Sequence, residues 1–572
     1  MNNTIALTLI AAAHVLTAAA GDRMALWPEG RIPDFQAHQV GAMENETKAK
    51  GFVADEHRMP YLQWYAAPTN ANGACMILLS GGAYSYCCSI SLVEAWRKEL
   101  TALGFQCVNL AYRTPRPKGL PIWQSAWEDG QRAVRLVRSE ARRRGFDPER
   151  IVVMGMSAGG HLATLLATSA LTPAYARVDA LDDIPCHVNL AIPHAAAYNT
   201  ATNIETGVAF DPATAGAVNS CFKFDAKTCP ICFNHGGTDP YTPLGSTLCY
   251  RELRKRKVPA ELHLYADRGH AAHESGRFVE FMRQLGWLGE LGFLWPLDHR
   301  YHPDATARTE KEALWPTNGI PSRQADQSYE PYLVWYVPEK RTTRAIQVVF
   351  AGGGYTDCNY VGEAEPVAYY LNRKGMTTVC VKYRCPRPKD APKHLLAWQD
   401  AQRAIRKVRS EASARGLDPN RIGAMGFSAG GHLTLMTALS SLTNAYEPVD
   451  DVDRMSCSVQ WACPVYPAYA LTDGVDSPNA EGGNFDRDVP VPEFAFDAAT
   501  PPMCFLHGDA DGYSAMASVK IWEKLRAMGV QSDLHTLALQ GHCFQLRAAE
   551  GTGAFTCFDR VWEFLVRKGF LR

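Results

Sequence analysis

The chain has 572 residues, of which 47% are hydrophobic and 20% are charged, and its net charge is −1. This length exceeds one ordinary hydrophobic core and favours two domains. The composition argues against extensive disorder, and the balanced charge gives no electrostatic footprint for nucleic acid. No apolar run reaches the roughly 20 residues that a membrane-spanning helix needs, so no membrane span is expected.

The N-terminal residues differ from the rest of the chain. Residues 4–20 are almost entirely Ala, Leu, Ile, Val and Thr, and they end in three alanines before Gly21. This pattern is typical of a signal peptide with a small-residue cleavage site. No Lys or Arg precedes the run and His14 interrupts it, which leaves a poorly ordered N-terminal helix as the alternative. We expect residues 1–20 to be a signal peptide and the mature protein to be periplasmic or secreted.

Short apolar runs alternate with amphipathic stretches along the first half of the chain. This alternation predicts an α/β fold, in which a mostly parallel sheet carries helices on both faces. The runs predicted to be strands are 76–79, 107–111, 151–154, 188–192, 231–234 and 261–265, and the stretches predicted to be helices are 92–103, 124–144, 162–170, 245–257 and 274–285.

One of these helices carries a row of arginines. In the stretch 124–144, Trp127 and Val134 fall on one helical face, and the arginines at 132, 135, 138 and 142 fall toward the other. This pattern predicts a solvated basic face.

The chain contains two copies of the same unit. Four motifs recur 271 residues further on, and from Phe224-Asp225 and Phe496-Asp497 onward the offset is 272. This period is far longer than that of solenoid repeats, so each copy is a domain. We expect domains over residues 22–292 and 312–572, joined by a linker over 293–311. The recurring motifs are Tyr61-Leu-Gln-Trp64-Tyr65 with Tyr332-Leu-Val-Trp335-Tyr336, Gly81-Gly82-Ala83-Tyr84 with Gly352-Gly353-Gly354-Tyr355, Tyr112-Arg-Thr-Pro-Arg-Pro-Lys118 with Tyr383-Arg-Cys-Pro-Arg-Pro-Lys389, and Gly155-Met-Ser157-Ala-Gly-Gly-His161 with Gly426-Phe-Ser428-Ala-Gly-Gly-His432.

The last of these motifs places a serine between a predicted strand and a predicted helix. The pattern G-x-S-x-G in this context is the nucleophile elbow of serine hydrolases, where glycines allow a sharp turn. Ser157 and Ser428 are therefore the candidate nucleophiles. A glycine-rich turn without function is the alternative for either copy alone, and the duplication favours the catalytic interpretation.

A serine hydroxyl needs a base and an orienting acid, which in this fold follow it in the order Asp, then His. Asp239 and His270 occupy loops after predicted strands in the first copy, and Asp511 and His542 do so in the second. Asp509 competes with Asp511, but the offset of 272 pairs Asp511 with Asp239 and leaves Gly237 opposite Asp509. We therefore predict two triads.

The oxyanion that forms during ester cleavage needs N–H donors already in position. One predicted donor is the residue after each nucleophile, Ala158 or Ala429. The others lie in the glycine-rich loop after an early strand: Gly82 and Ala83 in the first copy, and Gly353 and Gly354 in the second. No G-K-[ST] and no dinucleotide fingerprint accompanies these glycines, which disfavours a nucleotide site.

The 17 cysteines are an odd number, which in an exported protein is compatible with disulfides and one free thiol. Several lie within strand-like runs, where a small buried hydrophobic residue is favoured: Cys75, Cys107, Cys380 and Cys504. Cys229 and Cys232 have C-x-x-C spacing but open a strand, where positions three apart point to opposite faces. We expect no redox or zinc chemistry from this pair.

Together these motifs resemble the acetyl xylan and feruloyl esterase-like carbohydrate esterases of the α/β-hydrolase superfamily. The resemblance covers both copies and includes the segment Asp400-Ala-Gln-Arg-Ala-Ile-Arg406. It implies a serine esterase that removes acetyl or feruloyl groups from plant polysaccharide such as xylan, with an acylated oligo- or polysaccharide as partner and no metal or organic cofactor. Oligomeric state is not indicated.

The first copy departs from this pattern in its loops. Ala83 replaces the third glycine of the oxyanion loop, Ala271-Ala272 replaces Cys543-Phe544, and Pro193-His-Ala-Ala196 replaces Pro464-Val-Tyr-Pro467. The first copy is therefore expected to have altered specificity or lower activity. One alternative makes it a binding or scaffolding module. Another is a serine peptidase of the prolyl-oligopeptidase type, but this chain has no room for the β-propeller such a peptidase carries.

Overall fold

The computed structural model describes residues 22–39, 60–65, 68–87, 90–200, 217–270, 275–285, 308–324, 327, 329–472, 489–547, 554 and 556–572. The expected signal peptide lies outside these ranges, as does most of the expected linker. Residues 308–311 of that linker belong to a strand, β9 (Arg308–Ala313).

The first half contributes eight strands in the order β1-β2-β4-β3-β5-β6-β7-β8. Its edge strands β1 and β2 are antiparallel to their neighbours, whereas all pairings from β4 to β8 are parallel. The strands are β1 (Arg23–Ala25), β2 (Tyr61–Trp64), β3 (Cys75–Leu79), β4 (Gln106–Ala111), β5 (Ile151–Met156), β6 (Leu190–His194), β7 (Ile231–Gly236) and β8 (Ala260–Tyr265). The helices are α1 (Ile90–Ala102), α2 (Gln124–Arg144), α3 (Ala158–Thr168), α4 (Leu244–Lys255) and α5 (Ser275–Gln284).

The second half repeats this order with β9 as its outer edge, giving β16-β15-β14-β13-β11-β12-β10-β9. Its further strands are β10 (Tyr332–Val337), β11 (Ile346–Phe350), β12 (Thr377–Lys382), β13 (Ile422–Phe427), β14 (Trp461–Val465), β15 (Cys504–Gly508) and β16 (Asp533–Leu537). Its helices are α6 (Glu365–Arg373), α7 (Leu395–Ala412), α8 (Ala429–Leu439), α9 (Met516–Ala527) and α10 (Cys557–Arg567).

The expected fold class is confirmed in both halves. The central strands β3, β5, β11 and β13 are almost entirely buried, as the continuous apolar runs predict for strands covered on both faces. Parallel strands connected by helices bring all strand C-termini to one edge of each half-sheet, where the loops that carry the predicted site residues begin.

Two of the four arginines predicted to form a solvated face on α2 are buried and do not belong to that face. Arg132 and Arg138 are only 3% and 8% exposed. The Arg132 guanidinium binds Asp179 at 2.6 Å, and Arg138 donates to the carbonyl of His187 at 2.7 Å. The prediction was wrong for these two because their partners lie 47 to 49 residues away in sequence, beyond the reach of a helical periodicity argument.

A single 16-stranded sheet crosses both halves. Strands β8 and β16 pair in antiparallel fashion, with His263 directly opposite His535 and their Nδ1 atoms 3.2 Å apart. Helices α5 and α10 meet beside this junction, where Arg560 forms a buried ion pair with Glu280. The sequence predicted two half-sheets but not that they join edge to edge.

Asp509 also belongs to this junction. Its carboxylate accepts hydrogen bonds from the Tyr250 hydroxyl at 2.8 Å and the Ala260 amide at 3.2 Å, and it lies 3.0 Å from Arg254 Nε. Burial raises the pKa of Asp509 to about 6 although Arg254 and Tyr250 act in the opposite direction. All of these partners come from the first half, so Asp509 connects the two halves.

No disulfide bond joins the sixteen described cysteines, and every one except Cys543 is buried. Burial raises the pKa of both Cys229 and Cys232 above that of an ordinary thiol. Among the helices that the structure describes, none combines the length and apolar character needed to cross a bilayer.

Candidate active sites

Both candidate nucleophiles lie at a strained turn between a strand and a helix. Ser157 separates β5 from α3 with φ 57° and ψ −119°, and Ser428 separates β13 from α8 with φ 53° and ψ −116°. A Cβ on Gly155 would lie 2.2 Å from the carbonyl oxygen of Gly159, and one on Gly426 would lie 2.2 Å from that of Gly430. Glycine is therefore required at both positions, as the elbow motif predicts.

The second half brings its three predicted residues into one hydrogen-bonded row. His542 Nε2 lies 2.7 Å from Ser428 Oγ, and His542 Nδ1 lies 2.8 Å from Asp511 Oδ2. Burial alone would raise the pKa of Asp511, but hydrogen bonds from His507 and His542 outweigh it and hold the pKa below its ordinary value. Asp511 therefore faces the imidazole as a carboxylate, the arrangement that a Ser-His-Asp mechanism requires.

The first half assembles only part of this row. His270 Nδ1 lies 2.9 Å from Asp239 Oδ2, and the pKa of Asp239 is likewise lowered, since hydrogen bonds from His235 and His270 outweigh burial. Within the described residues, however, His270 forms no hydrogen bond to Ser157. The first half thus has its acid–base pair in place, with Ser157 outside that hydrogen-bonded row.

A second histidine supports each aspartate, a role that the triad motif alone does not indicate. His507 Nδ1 lies 2.8 Å from Ser518 Oγ, its Nε2 lies 2.7 Å from the Tyr513 carbonyl oxygen, and the same Nε2 is 3.5 Å from Asp511. His235 makes the equivalent contacts in the first half. The signal that identifies these residues is the recurrence of H-G-x-x-D in both copies.

The predicted oxyanion loops form tight turns beside the elbows. Gly353 and Gly354 have φ of 120° and 63°, and in the first half Gly82 and Ala83 have φ of 118° and 56°. In the described part of the chain, the amides of Gly353 and Gly354 donate to no other group, so they are available to a ligand. Ala158 and Ala429 are the first residues of α3 and α8, where a helical amide has no partner within the helix.

The second half places a buried carboxylate next to its nucleophile. Glu363 accepts a hydrogen bond from the Gly352 amide at 2.5 Å and one from the Tyr466 hydroxyl at 3.2 Å. A Cβ on Gly352 would lie 2.7 Å from Glu363 Oε2 and 2.9 Å from Ser428 Cβ. Burial raises the pKa of Glu363. The sequence has leucine and alanine at the equivalent positions 92 and 195 of the first half, so the two pockets differ beside the serine.

The fold and these turns define each half as an α/β-hydrolase, with an elbow serine at the C-terminal edge of a parallel sheet. The family model described as BD-FAE matches residues 62–250 and again residues 333–484, together more than half of the chain. The chain belongs to the BD-FAE family.

Individual relatives carry esterase names. The chain is 27% identical over 234 residues to the "Probable carboxylic ester hydrolase LipM" of Mycobacterium tuberculosis, covering 37% of this chain and 53% of that protein. It is 25% identical over 221 residues to the acetylxylan esterase of Xylanibacter ruminicola, covering 37% of this chain and 43% of that protein. The chain thus spans about half the length of these curated relatives.

A solved structure also matches part of the chain. The crystal structure of the acetyl ester-xyloside bifunctional hydrolase from Caldicellulosiruptor lactoaceticus is 28% identical. The match covers 46% of this chain and 97% of that chain, with a TM-score of 0.38.

Proposed function

We propose that the protein is a serine carboxylester hydrolase whose principal active site is in the second half. The observation that carries this proposal is the row Ser428–His542–Asp511, with distances of 2.7 and 2.8 Å, beside amides that donate to no other described group. Family membership and the names of the relatives support the same reaction class.

In the proposed reaction, Ser428 Oγ attacks the ester carbonyl carbon while its proton passes to His542 Nε2. Asp511 stabilises the imidazolium, and the amides of Gly353, Gly354 and Ala429 stabilise the oxyanion. The C–O bond to the alcohol then breaks, and His542 returns the proton to the leaving oxygen. Water hydrolyses the acyl-serine by the same steps, which releases the carboxylic acid and restores the serine.

We infer that the substrate is an acylated oligo- or polysaccharide carrying acetyl or feruloyl groups. This inference is supported by the motif resemblance and by the acetylxylan esterase among the relatives. Release of acetate or ferulate from acetylated and feruloylated xylo-oligosaccharides tests it. If simple aryl esters are cleaved but neither oligosaccharide is, the substrate class is wrong although the reaction class is right.

A second candidate function concerns the first half, which would act as a weaker esterase or as a binding module. It is favoured by the missing Ser157–His270 hydrogen bond in the described residues and by the altered residues beside the serine. If the first half is a weaker esterase, His270 and Asp239 form the acid–base pair of a site whose turnover is low.

Separate Ser157→Ala and Ser428→Ala variants of the full chain, assayed on p-nitrophenyl acetate, decide between these functions. We expect Ser428→Ala to remove most of the activity, because it deletes the nucleophile of the assembled row, and Ser157→Ala to leave most of it. Unchanged activity in Ser428→Ala would contradict the principal site. A large loss in Ser157→Ala would exclude a mere binding module.

A further inference from the structure

A cluster of metal-ligating side chains lies in the second half, next to the elbow but outside the proposed reaction. His394 immediately precedes α7, His432 lies within α8 four residues after Ser428, and Glu493 lies in the segment before β15. Each offers one ligand atom, and the three atoms lie within 4.8 Å of one another. Three separate segments of the chain thus converge on one point.

One ring nitrogen in this cluster has no ordinary hydrogen-bond partner. His432 is fully buried, and its Nε2 is without a hydrogen bond. The closest carboxylate contact of this atom is Glu493 Oε1 at 3.7 Å, beyond hydrogen-bond distance. A buried polar atom left in this state requires an explanation, and a bound ion is one of the few available.

The other nitrogen of the same ring fixes its orientation. His432 Nδ1 lies 2.9 Å from the Tyr355 hydroxyl, so with the proton on Nδ1 the Nε2 lone pair points toward Glu493. Metal-binding histidines are oriented in this way by a partner on the second nitrogen. Glu493 Oε1 also lies 3.9 Å from His394 Nδ1, and its side chain is 31% exposed, which provides a path from solvent.

The first half contains the same place in the fold with only one of the three ligands. His161 matches His432, and its Nδ1 likewise contacts a tyrosine hydroxyl, that of Tyr84, at 2.7 Å. The carbonyls of Cys221 and Glu493 accept equivalent hydrogen bonds, from Ser169 at 3.1 Å and Ser440 at 2.9 Å, which makes these two positions equivalent.

The partners of the imidazole therefore differ between the halves. The Trp123 ring centroid lies 5.2 Å from that of His161, where the second half has His394 at 5.4 Å from His432. Cys221 Sγ lies 3.5 Å from His161 Nε2, where the second half has Glu493. Two of the three ligands are thus present in one half and absent from the other.

We propose that His394, His432 and Glu493 bind a divalent transition-metal ion, with zinc the best match. Two imidazoles and one carboxylate are a common zinc set, and a fourth position is completed by water. In a tetrahedral zinc site the ligand atoms are roughly 3.3 Å apart. The observed distances are 3.7 and 3.9 Å from Glu493 Oε1 to the two ring nitrogens, and the two nitrogens lie within 4.8 Å of each other, so binding requires the ligand atoms to approach by up to about 1.5 Å.

The role of this ion is structural. It would connect the start of α7, helix α8 and the segment before β15, and through the Tyr355–His432 contact it would support the turn that carries Gly353 and Gly354. The Lys393 ammonium, next to His394 in sequence, packs 4.2 Å from the Tyr469 ring centroid. The Glu493 carboxylate supplies negative charge to balance the bound cation. No step of the proposed ester hydrolysis involves the ion.

Zinc stoichiometry in the full chain tests this proposal. The protein is stripped with chelator, re-equilibrated with ZnCl2, passed through gel filtration and analysed by inductively coupled plasma mass spectrometry, with affinity measured by calorimetry. Two other described clusters also offer zinc ligands: Cys232–Glu261–His263 and Cys504–Asp533–His535. The quantity to compare is therefore the difference in zinc content per chain between wild type and variant. We expect Glu493→Gln to hold one zinc fewer and to lose affinity at this site at least about 100-fold, which exceeds the 10- to 100-fold effect of losing an orienting partner.

Further variants separate loss of a ligand from loss of folding. His394→Trp installs the residue of the first half and should remove the same zinc, whereas Tyr355→Phe should weaken binding only about 10- to 100-fold. Glu149→Gln, which alters the exposed His187–Glu149 pair at 3.2 Å, is the matched control and should keep wild-type zinc. Zinc should raise the thermal midpoint of wild type more than that of Glu493→Gln.

A gain of binding is also expected. A folded Trp123→His, Cys221→Glu double variant rebuilds the three ligands around His161 and should hold one zinc more than wild type. Equal zinc content and equal zinc-induced stabilisation in wild type, Glu493→Gln and His394→Trp would overturn the proposal. Since these measurements do not use ester hydrolysis, failure of the metal site and failure of the esterase assignment are distinguishable.

Discussion

At the scale of single residues, two neighbouring aspartates have separate functions. Asp511 contacts His542, whereas Asp509 contacts Tyr250 and Arg254 of the first half. The repeat offset could select Asp511 from the sequence because Gly237 stands opposite Asp509. It could not show what Asp509 does, since its partners are about 250 residues away in the chain.

This separation gives a prediction for two conservative substitutions. In a Ser157→Ala background, Asp511→Asn should lower kcat by roughly 10³- to 10⁴-fold, because the amide no longer favours the imidazolium and the required tautomer. Asp509→Asn keeps an acceptor for Tyr250 and should stay within about threefold. The measurement is p-nitrophenyl acetate hydrolysis under saturating substrate. Similar losses of kcat in both variants would contradict a specific role of Asp511 and would point to a structural disturbance of the shared loop.

At the scale of elements, the sequence predicted the parallel strands, the helices and the elbow turns, but not the short antiparallel edge strands β1 and β2. Periodicity and glycine placement are local signals, and they located β5, α3, β13 and α8 around the two serines. Burial of Arg132 and convergence of His394, His432 and Glu493 could not be predicted in this way. These contacts join segments 38 to 99 residues apart, and no spacing rule within one element encodes them.

Replacement by alanine should have opposite effects at a glycine in the elbow and at a glycine within a helix. Gly426→Ala should destabilise the protein by about 3 kcal/mol and abolish most activity, because a new Cβ would meet the Gly430 carbonyl, which belongs to rigid backbone. Gly130→Ala, within α2, should be neutral or stabilising by up to about 1 kcal/mol through helix propensity.

Gly130 is a suitable control because the atoms nearest to its Cβ would be the ends of leucine side chains at 3.2 to 3.3 Å, and the second half carries buried Ala401 at the same position. Chemical denaturation and ester hydrolysis of both variants provide the test. A well-folded, fully active Gly426→Ala protein would contradict the tight turn.

At the scale of the whole molecule, the two halves share one sheet rather than standing side by side. The β8–β16 pairing completes both inner edges, and the ion pairs of α5 and α10 bury charge beside it. An unpaired edge strand exposes backbone donors and acceptors to other chains. Separating the halves would also leave Arg560 and Glu280 without each other, and breaking a buried ion pair typically lowers stability by about 3–5 kcal/mol.

Separated halves should therefore not behave as stable monomers. We expect residues 22–292 and 308–572, the second fragment keeping all of β9, to form dimers through the exposed β8 or β16 edge when expressed alone, or to aggregate, and to unfold at lower temperature than the full chain. Light scattering after gel filtration and thermal unfolding test this expectation, and mixing the two halves should restore a 1:1 complex. If either half is a monomer as stable as the full chain, the shared sheet contributes little to stability. Because truncation removes this junction together with one active site, the activities of the two sites are best compared with point variants in the intact chain.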